Sequence, residues 1–167
     1  VHTTRSFEIL KLYSIFKSGN KTKSIPQSYI PTQSFFDKIA SFIRLNLFIP
    51  DSRIGWNYFA FKKAKKLIED NNINCVITTG PPHSSHLIGK KIYKKFKLKW
   101  IVDLRDPWAE LFYLKNKFQF NCVKKLNLKF ELDVLNSADA IITTVGKRYQ
   151  NIIKDKLSNT KNIHKIY

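Results

Sequence analysis

Two short stretches hold the side chains of this chain best suited to chemistry: Gly80-Pro81-Pro82-His83-Ser84-Ser85-His86 and Asp103-Leu104-Arg105-Asp106-Pro107-Trp108. In the first, Gly80 permits a tight turn and the two prolines stiffen it, while His83, Ser84, Ser85 and His86 offer hydrogen bonds to a ligand. If that loop opens a helix, its free backbone N–H groups and the positive end of the helix dipole make a site for phosphate or another anion. In the second stretch, two carboxylates flank a guanidinium, the material for an acid–base group beside an anion clamp. Each stretch also has a purely structural reading: a rigid serine-capped turn in one case, an internal ion pair in the other. Neither G-x-G-x-x-G nor G-x-x-x-x-G-K-[ST] occurs, and the histidines and acids show no spacing of a metal ligand set.

The elements around these clusters explain why both should meet. Each cluster follows a short apolar run, residues 75–79 before the first and 100–102 before the second, with a helical pattern between them. That is the βαβ unit of a parallel sheet. In such sheets ligands bind outside the carboxyl ends of the strands, where both clusters fall. Alternation along the second strand puts Asp103 and Arg105 on one face and Leu104 on the other, with Asp106 at the exit and Pro107 opening the next helix. A third strand over 139–144 ends in Thr143-Thr144-Val145-Gly146-Lys147-Arg148 and should face the same crevice.

Further helices are expected over about 35–49, 56–70, 84–96 and 119–136 and after Gly146, with a fourth strand over 163–167. The helix at 84 should take Ser84 as N-cap, with Ile88, Ile92 and Phe96 as its stripe; Gly89 implies close approach to a strand. The long helix over 119–136 carries two apolar stripes, the second of Leu128, Leu132 and Leu135, and should be buried on more than one side. The resulting order, β-α-β-α-α-β-α-β, argues an α/β fold: a Rossmann-like parallel sheet with helices on both faces. Residues 1–33 read as a poorly defined segment, the end of a strand plus a loop, and residues 34–167 as one partial domain. The helix at 35–49 has Phe35, Phe36, Ile39, Phe42 and Ile43 at helical spacing. It is either packed on the core or lies on a membrane surface.

Composition bounds the function. A chain of 167 residues with 43% hydrophobic residues can bury one good core. The net charge of +18 favours polyanions, although the excess of Lys, Asn and Ile is also what an AT-rich genome produces without selection for a partner. A basic module binding nucleic acid or an anionic surface without catalysis is therefore the alternative to an enzyme. Cys75 and Cys122, in apolar settings without metal-like spacing, read as buried thiols of a cytoplasmic chain. No apolar run approaches the length of a spanning helix. A start at Val and the absence of Met point to a piece of a longer protein.

Three quoted segments carry a resemblance: Pro50-Asp51…Gly55-Trp56, then residues 78–89 around Gly80-Pro81-Pro82-His83-Ser84-Ser85-His86, then residues 100–108 ending Asp103-Leu104-Arg105-Asp106-Pro107-Trp108. In this order they resemble the N-terminal domain of bacterial family 4 glycosyltransferases, over roughly residues 50–167. The resemblance implies a GT-B architecture of two Rossmann-like domains, this one on the acceptor side. The missing parts would be a first strand with its Gly-rich loop, before Val1, and the C-terminal donor domain with its paired glutamates, after Tyr167. The implied activity is retaining, metal-independent sugar transfer from a nucleotide-sugar to a glycan or lipid-linked acceptor in surface polysaccharide or glycolipid synthesis. No cofactor is implied beyond the nucleotide-sugar co-substrate, and no specific nucleic acid. The implied location is cytoplasmic, peripheral on the inner face of an anionic membrane.

Many relatives place a catalytic His where this chain has Arg105-Asp106. Here Asp106 would orient or deprotonate a hydroxyl and Arg105 would offset negative charge. Gly80, Pro82, His83, Ser84, Ser85, His86, Asp103, Trp108 and Thr144 would line the acceptor or phosphate site.

Overall fold

The structure, a computed structural model, describes residues 3–4, 35–109, 117–144, 146–158 and 163–165. Helix α1 (Phe35–Leu47) leads through a 3-10 turn (Ile54–Trp56) into α2 (Asn57–Asn71). Then follow β1 (Cys75–Gly80), α3 (Ser84–Phe96), β2 (Lys99–Leu104), α4 (Asn121–Ser137), β3 (Ala140–Thr143), α5 (Lys147–Lys156) and β4 (Ile163–Lys165). Both α2 and α3 stop on a residue in the left-handed conformation, Asn72 at φ 53° and Lys97 at φ 55°, which turns the chain into the next strand. The expected segment at 1–33 falls outside the described residues except for Thr3 and Thr4.

The four strands form one open sheet in the order β1-β2-β3-β4, every pair parallel. This is the α/β parallel architecture read from the sequence, flanked by helices, although the described helices packed on the sheet lie on one face rather than on both. Sequential order with crossovers of a single hand places successive connecting helices on the same face. Packing agrees: Trp100, Val102 and Leu104 of β2 and Ile141 of β3 pack with Val134 and Leu135 of α4 and Tyr149 and Ile153 of α5. A second cluster joins Ala60 and Ile68 of α2 to Ile88 and Ile92 of α3, with Val76 and Phe96 against it. Alternation along the strands leaves Ile77 of β1 on the other side, 61% exposed.

Several expectations are corrected. Cys75 and Cys122 are exposed free thiols rather than buried ones, because Cys75 lies on the outward side of β1 with Ile77 and Cys122 on the outer face of the first turn of α4. Leu128 is 39% exposed and only Leu135 of its stripe is fully buried, so α4 uses one main apolar face. Pro107 does not open a described helix; residues 105–109 are bends and turn, and the next described helix begins at Asn121. Helix α1 does not bury its apolar stripe in the core: Phe35 is 72% exposed and Leu47 71%.

The glycine within α3 has a specific reason. A Cβ on Gly89 would lie 2.4 Å from Trp100 Nε1, 2.6 Å from Trp100 Cε2 and 2.7 Å from Thr78 Cγ2. Trp100 is 1% exposed and its indole N–H donates to Thr78 Oγ1 at 2.9 Å, so neither neighbour can withdraw cheaply. Gly89→Ala gains about 1 kcal/mol of helix propensity but forces overpacking that costs about 1–3 kcal/mol. The expected outcome is a lower melting temperature by thermal circular dichroism; a rise would show that α3 does not ride this close to the sheet.

Candidate functional site

The register brings three strand exits level. Gly80 pairs with Leu104, and Leu104 pairs with Thr143. The loops that follow are tied together at once: Arg105 N–H donates to the Gly80 carbonyl at 3.1 Å, and Thr144 Oγ1 donates to the Arg105 carbonyl at 3.4 Å. All the residues singled out in the sequence therefore converge on one edge of the sheet. The carboxyl ends of the strands are where an open parallel sheet places a ligand.

At the start of α3 the cap differs from the expected one. His83 occupies the N-cap position without a side-chain cap, and Ser84 is the first helical residue. The anion at this helix end is internal: Asp51 Oδ2 accepts from Ser84 N–H at 2.7 Å and Oδ1 accepts from Ser84 Oγ at 2.9 Å. The next two amides close local turns, Ser85 N–H onto the Pro82 carbonyl and His86 N–H onto the His83 carbonyl, each at 3.1 Å. The carboxylate of Asp51 thus takes the place expected for an external phosphate, satisfying the dipole and an otherwise orphan donor. Ser85 Oγ donates to the Thr79 carbonyl at 2.6 Å. Asn57 Nδ2 donates to the Ser84 carbonyl at 2.9 Å, fixing the turn from the α2 side.

Beneath this turn sits a stack of three buried rings. His83 lies flat on Trp108, centroids 4.8 Å apart and planes 10° from parallel. His86 lies 5.7 Å from Trp108 and 6.0 Å from His83. His86 Nδ1 meets Thr78 Oγ1 at 2.9 Å. That oxygen already accepts from Trp100, so it gives its own proton most readily to Nδ1, leaving the ring proton on Nε2. His86 Nε2, His83 Nδ1 and Trp108 Nε1 are all buried without a hydrogen-bond partner. Two of the three converge on Gly80, where a Cβ would stand 2.5 Å from His86 Nε2 and 3.0 Å from His83 Nδ1. Only glycine lets β1 end against these rings.

Burial keeps both imidazoles neutral. His86 is pushed down to about 3, first by desolvation and then by the neighbouring His83. His83 is also lowered by burial, offset in part by the Asp51 carboxylate, a hydrogen bond to the Pro107 backbone and the Asp106 carboxylate.

The acidic cluster is more open. Arg105 Nε bonds Asp103 Oδ2 at 3.2 Å, with the Arg side chain 64% exposed and the Asp 14%. Asp106 is exposed at the exit, and Thr144 is exposed beside it. Trp108 is 3% exposed; its backbone N–H donates to Tyr149 Oη at 3.2 Å. Tyr149 in turn donates to the buried Glu131 at 3.4 Å, and Lys156 pairs with Glu131 at 2.9 Å. Pro82 and Gly80 supply backbone only. Among the described residues no group of three or more His, Cys, Asp or Glu could hold a metal ion.

Sequence reasoning missed Asp51 as the cap, and Tyr149 and Glu131 as supports of Trp108. The available signal was Pro50-Asp51 standing just before a helical run, but its partner lies 33 residues on.

Among the described residues, the fold and site define an open parallel α/β domain whose polar loops gather at the carboxyl ends of its strands. No family model, curated protein or solved structure matches this chain.

The neutral histidines generate a pH dependence. The folded His86 near 3 lies below its ordinary 6.5, so the unfolded chain binds the extra proton in the window between. Stability is full above pH 6.5 and falls as the pH drops through that window, by about 1.4 kcal/mol per unit for this ring. His83 acts in the same direction. In histidine NMR, the His86 ring is expected to stay neutral from pH 7 to pH 5, and His86→Gln should flatten the stability profile. A midpoint near the ordinary value would rule out the buried geometry.

Proposed function

We propose that this chain is the acceptor-side domain of a nucleotide-sugar-dependent glycosyltransferase of the GT-B type. The observation that carries the reading is the convergence of strand exits: the exposed Arg105, Asp106 and Thr144 follow strands that end level with Gly80 and the His83–His86 turn. A sugar acceptor needs a surface that binds hydroxyls through many polar groups and a group that takes one proton. Asp106 is the accessible carboxylate for that proton. Arg105, held by Asp103, offsets the negative charge of the departing diphosphate as the two domains close over the crevice. His83, Trp108, Ser84 and Ser85 are positioning residues: they set the turn and the stacked platform beneath the acceptor.

The nucleotide-sugar binds a second domain in cis, and the acceptor is a glycan or lipid-linked sugar of a surface polysaccharide or glycolipid. No helix among the described residues is long and apolar enough to cross a membrane, which accords with a peripheral enzyme of the cytoplasmic membrane face.

The test uses a chain continuing past Tyr167, incubated with a panel of nucleotide-sugars and glycosyl acceptors. Asp106→Asn and Arg105→Ala should each lower kcat/KM by about 10²-fold or more, with melting temperatures close to the parent's. The present chain alone should show no turnover. Transfer that survives both substitutions, or transfer by the present chain alone, would falsify the assignment.

A further inference from the structure

Unmatched polar atoms gather at one turn. Among the described residues five buried side-chain nitrogens and oxygens have no hydrogen-bond partner, and four of them belong to Asn57, His83, His86 and Trp108. These four residues are at most 6% exposed. Asn57 is bonded through its amide to the Ser84 carbonyl, and the three rings lie against one another beneath the same turn. Buried polar groups are costly to leave unmatched, so four in one place call for a shared cause.

Two of these atoms point to one spot. A Cβ on Gly80 would stand 2.5 Å from His86 Nε2 and 3.0 Å from His83 Nδ1, so the two nitrogens are at most about 5.5 Å apart. Two hydrogen bonds of about 2.9 Å that meet at a single oxygen span that distance.

The rings select what the oxygen belongs to. Thr78 Oγ1 accepts the indole N–H of Trp100 at 2.9 Å and gives its own proton to His86 Nδ1 at 2.9 Å. His86 Nε2 therefore carries the ring proton and is a donor, not a metal ligand. Among the described residues no group of three His, Cys, Asp or Glu completes a metal set either. A phosphate or carboxylate is disfavoured by the Asp51 carboxylate, which already holds the first amide of α3, and by rings that burial keeps uncharged. A hydroxyl oxygen accepts from His86 Nε2–H and retains both a proton and a lone pair. It can then satisfy His83 Nδ1 whichever tautomer that ring adopts.

We infer that His83 Nδ1 and His86 Nε2, at the turn leaving Gly80, form a binding site for one neutral hydroxyl oxygen. Two sources carry that group: water, and a small alcohol reaching the turn from the strand ends. The inference does not rest on sugar transfer, because it is read from the rings alone and holds in a chain without transferase activity.

The experiment is NMR of the whole 15N-labelled chain at pH 7. Long-range 1H–15N correlation should show His86 as the Nε2–H tautomer. That proton should give a cross-peak at the water frequency whose sign is opposite in NOE and ROE spectra, the mark of a held water rather than of proton exchange. Methanol is then added. A peak from its methyl protons, gained as the water peak is lost, assigns the site to an alcohol; a water peak that stays assigns it to water. His83→Phe keeps a flat ring on Trp108 and removes Nδ1. Since a buried water needs at least about two polar partners, the cross-peak should be lost while the His86 tautomer and the far-ultraviolet circular dichroism stay as they are.

Three results would overturn the inference. They are a His86 ring with no proton on Nε2, an Nε2–H with neither a water nor a methanol peak in the unsubstituted chain, and a cross-peak that His83→Phe leaves unchanged. The first two are read without any substitution, so they decide the matter even if the variant does not fold.

Discussion

The carboxylate of Asp51 is the contact on which the site depends. It accepts the Ser84 amide at 2.7 Å, the Ser84 hydroxyl at 2.9 Å and the Arg53 amide at 2.9 Å. Ser84 is fully buried, so without Asp51 a donor and a hydroxyl would lie in the interior unmatched, at about 1–3 kcal/mol each. The same carboxylate raises the proton affinity of His83 against the effect of burial. One side chain thus closes the end of α3, anchors the connection from α1 to α2 beside the crevice, and sets part of the electrostatics of the stacked rings.

Two kinds of polar group surround the crevice, and burial separates their work. The Arg105–Asp103 pair is solvent-facing on the Arg side; such pairs contribute little to stability, about 0–1 kcal/mol, and Arg105 is free to answer charge in the cleft. Glu131 and Lys156 form a pair with Glu131 wholly buried, where loss of a partner is costly. Through Tyr149 this buried pair holds the Trp108 backbone, and Trp108 holds His83. The platform is therefore rigid where it is deep and adjustable where it is open.

The strands and the two loops were legible in the sequence because they obey local rules. A short β-rich run followed by Gly-Pro-Pro, or by Asp-x-Arg-Asp-Pro, marks a strand end without knowledge of anything distant. Gly89 was legible for the same reason, as a glycine where helix propensity argues against one. What escaped depends on partners far along the chain. Ser84 looked like its helix's own cap, yet Asp51 does that work from 33 residues away. The stripe of α1 has the period of a core-facing helix, and periodicity cannot say which medium the apolar face meets. Part of that face, at Asn46, is covered by a distant segment, and the partners Phe118 and Phe120 lie beyond any local window.

The apolar face and the crevice are joined by short covalent paths. Asp51 follows Leu47 by four residues, and Phe118 follows Trp108 by ten. One segment leads to Asp51 at the α3 cap, and the other comes after Trp108 of the ring platform in the sequence. Asn46 closes the circuit by binding them to each other. That clamp accounts for a buried asparagine, a poor choice for helix stability, at the end of α1: a leucine there would extend the apolar stripe but leave the second segment unheld.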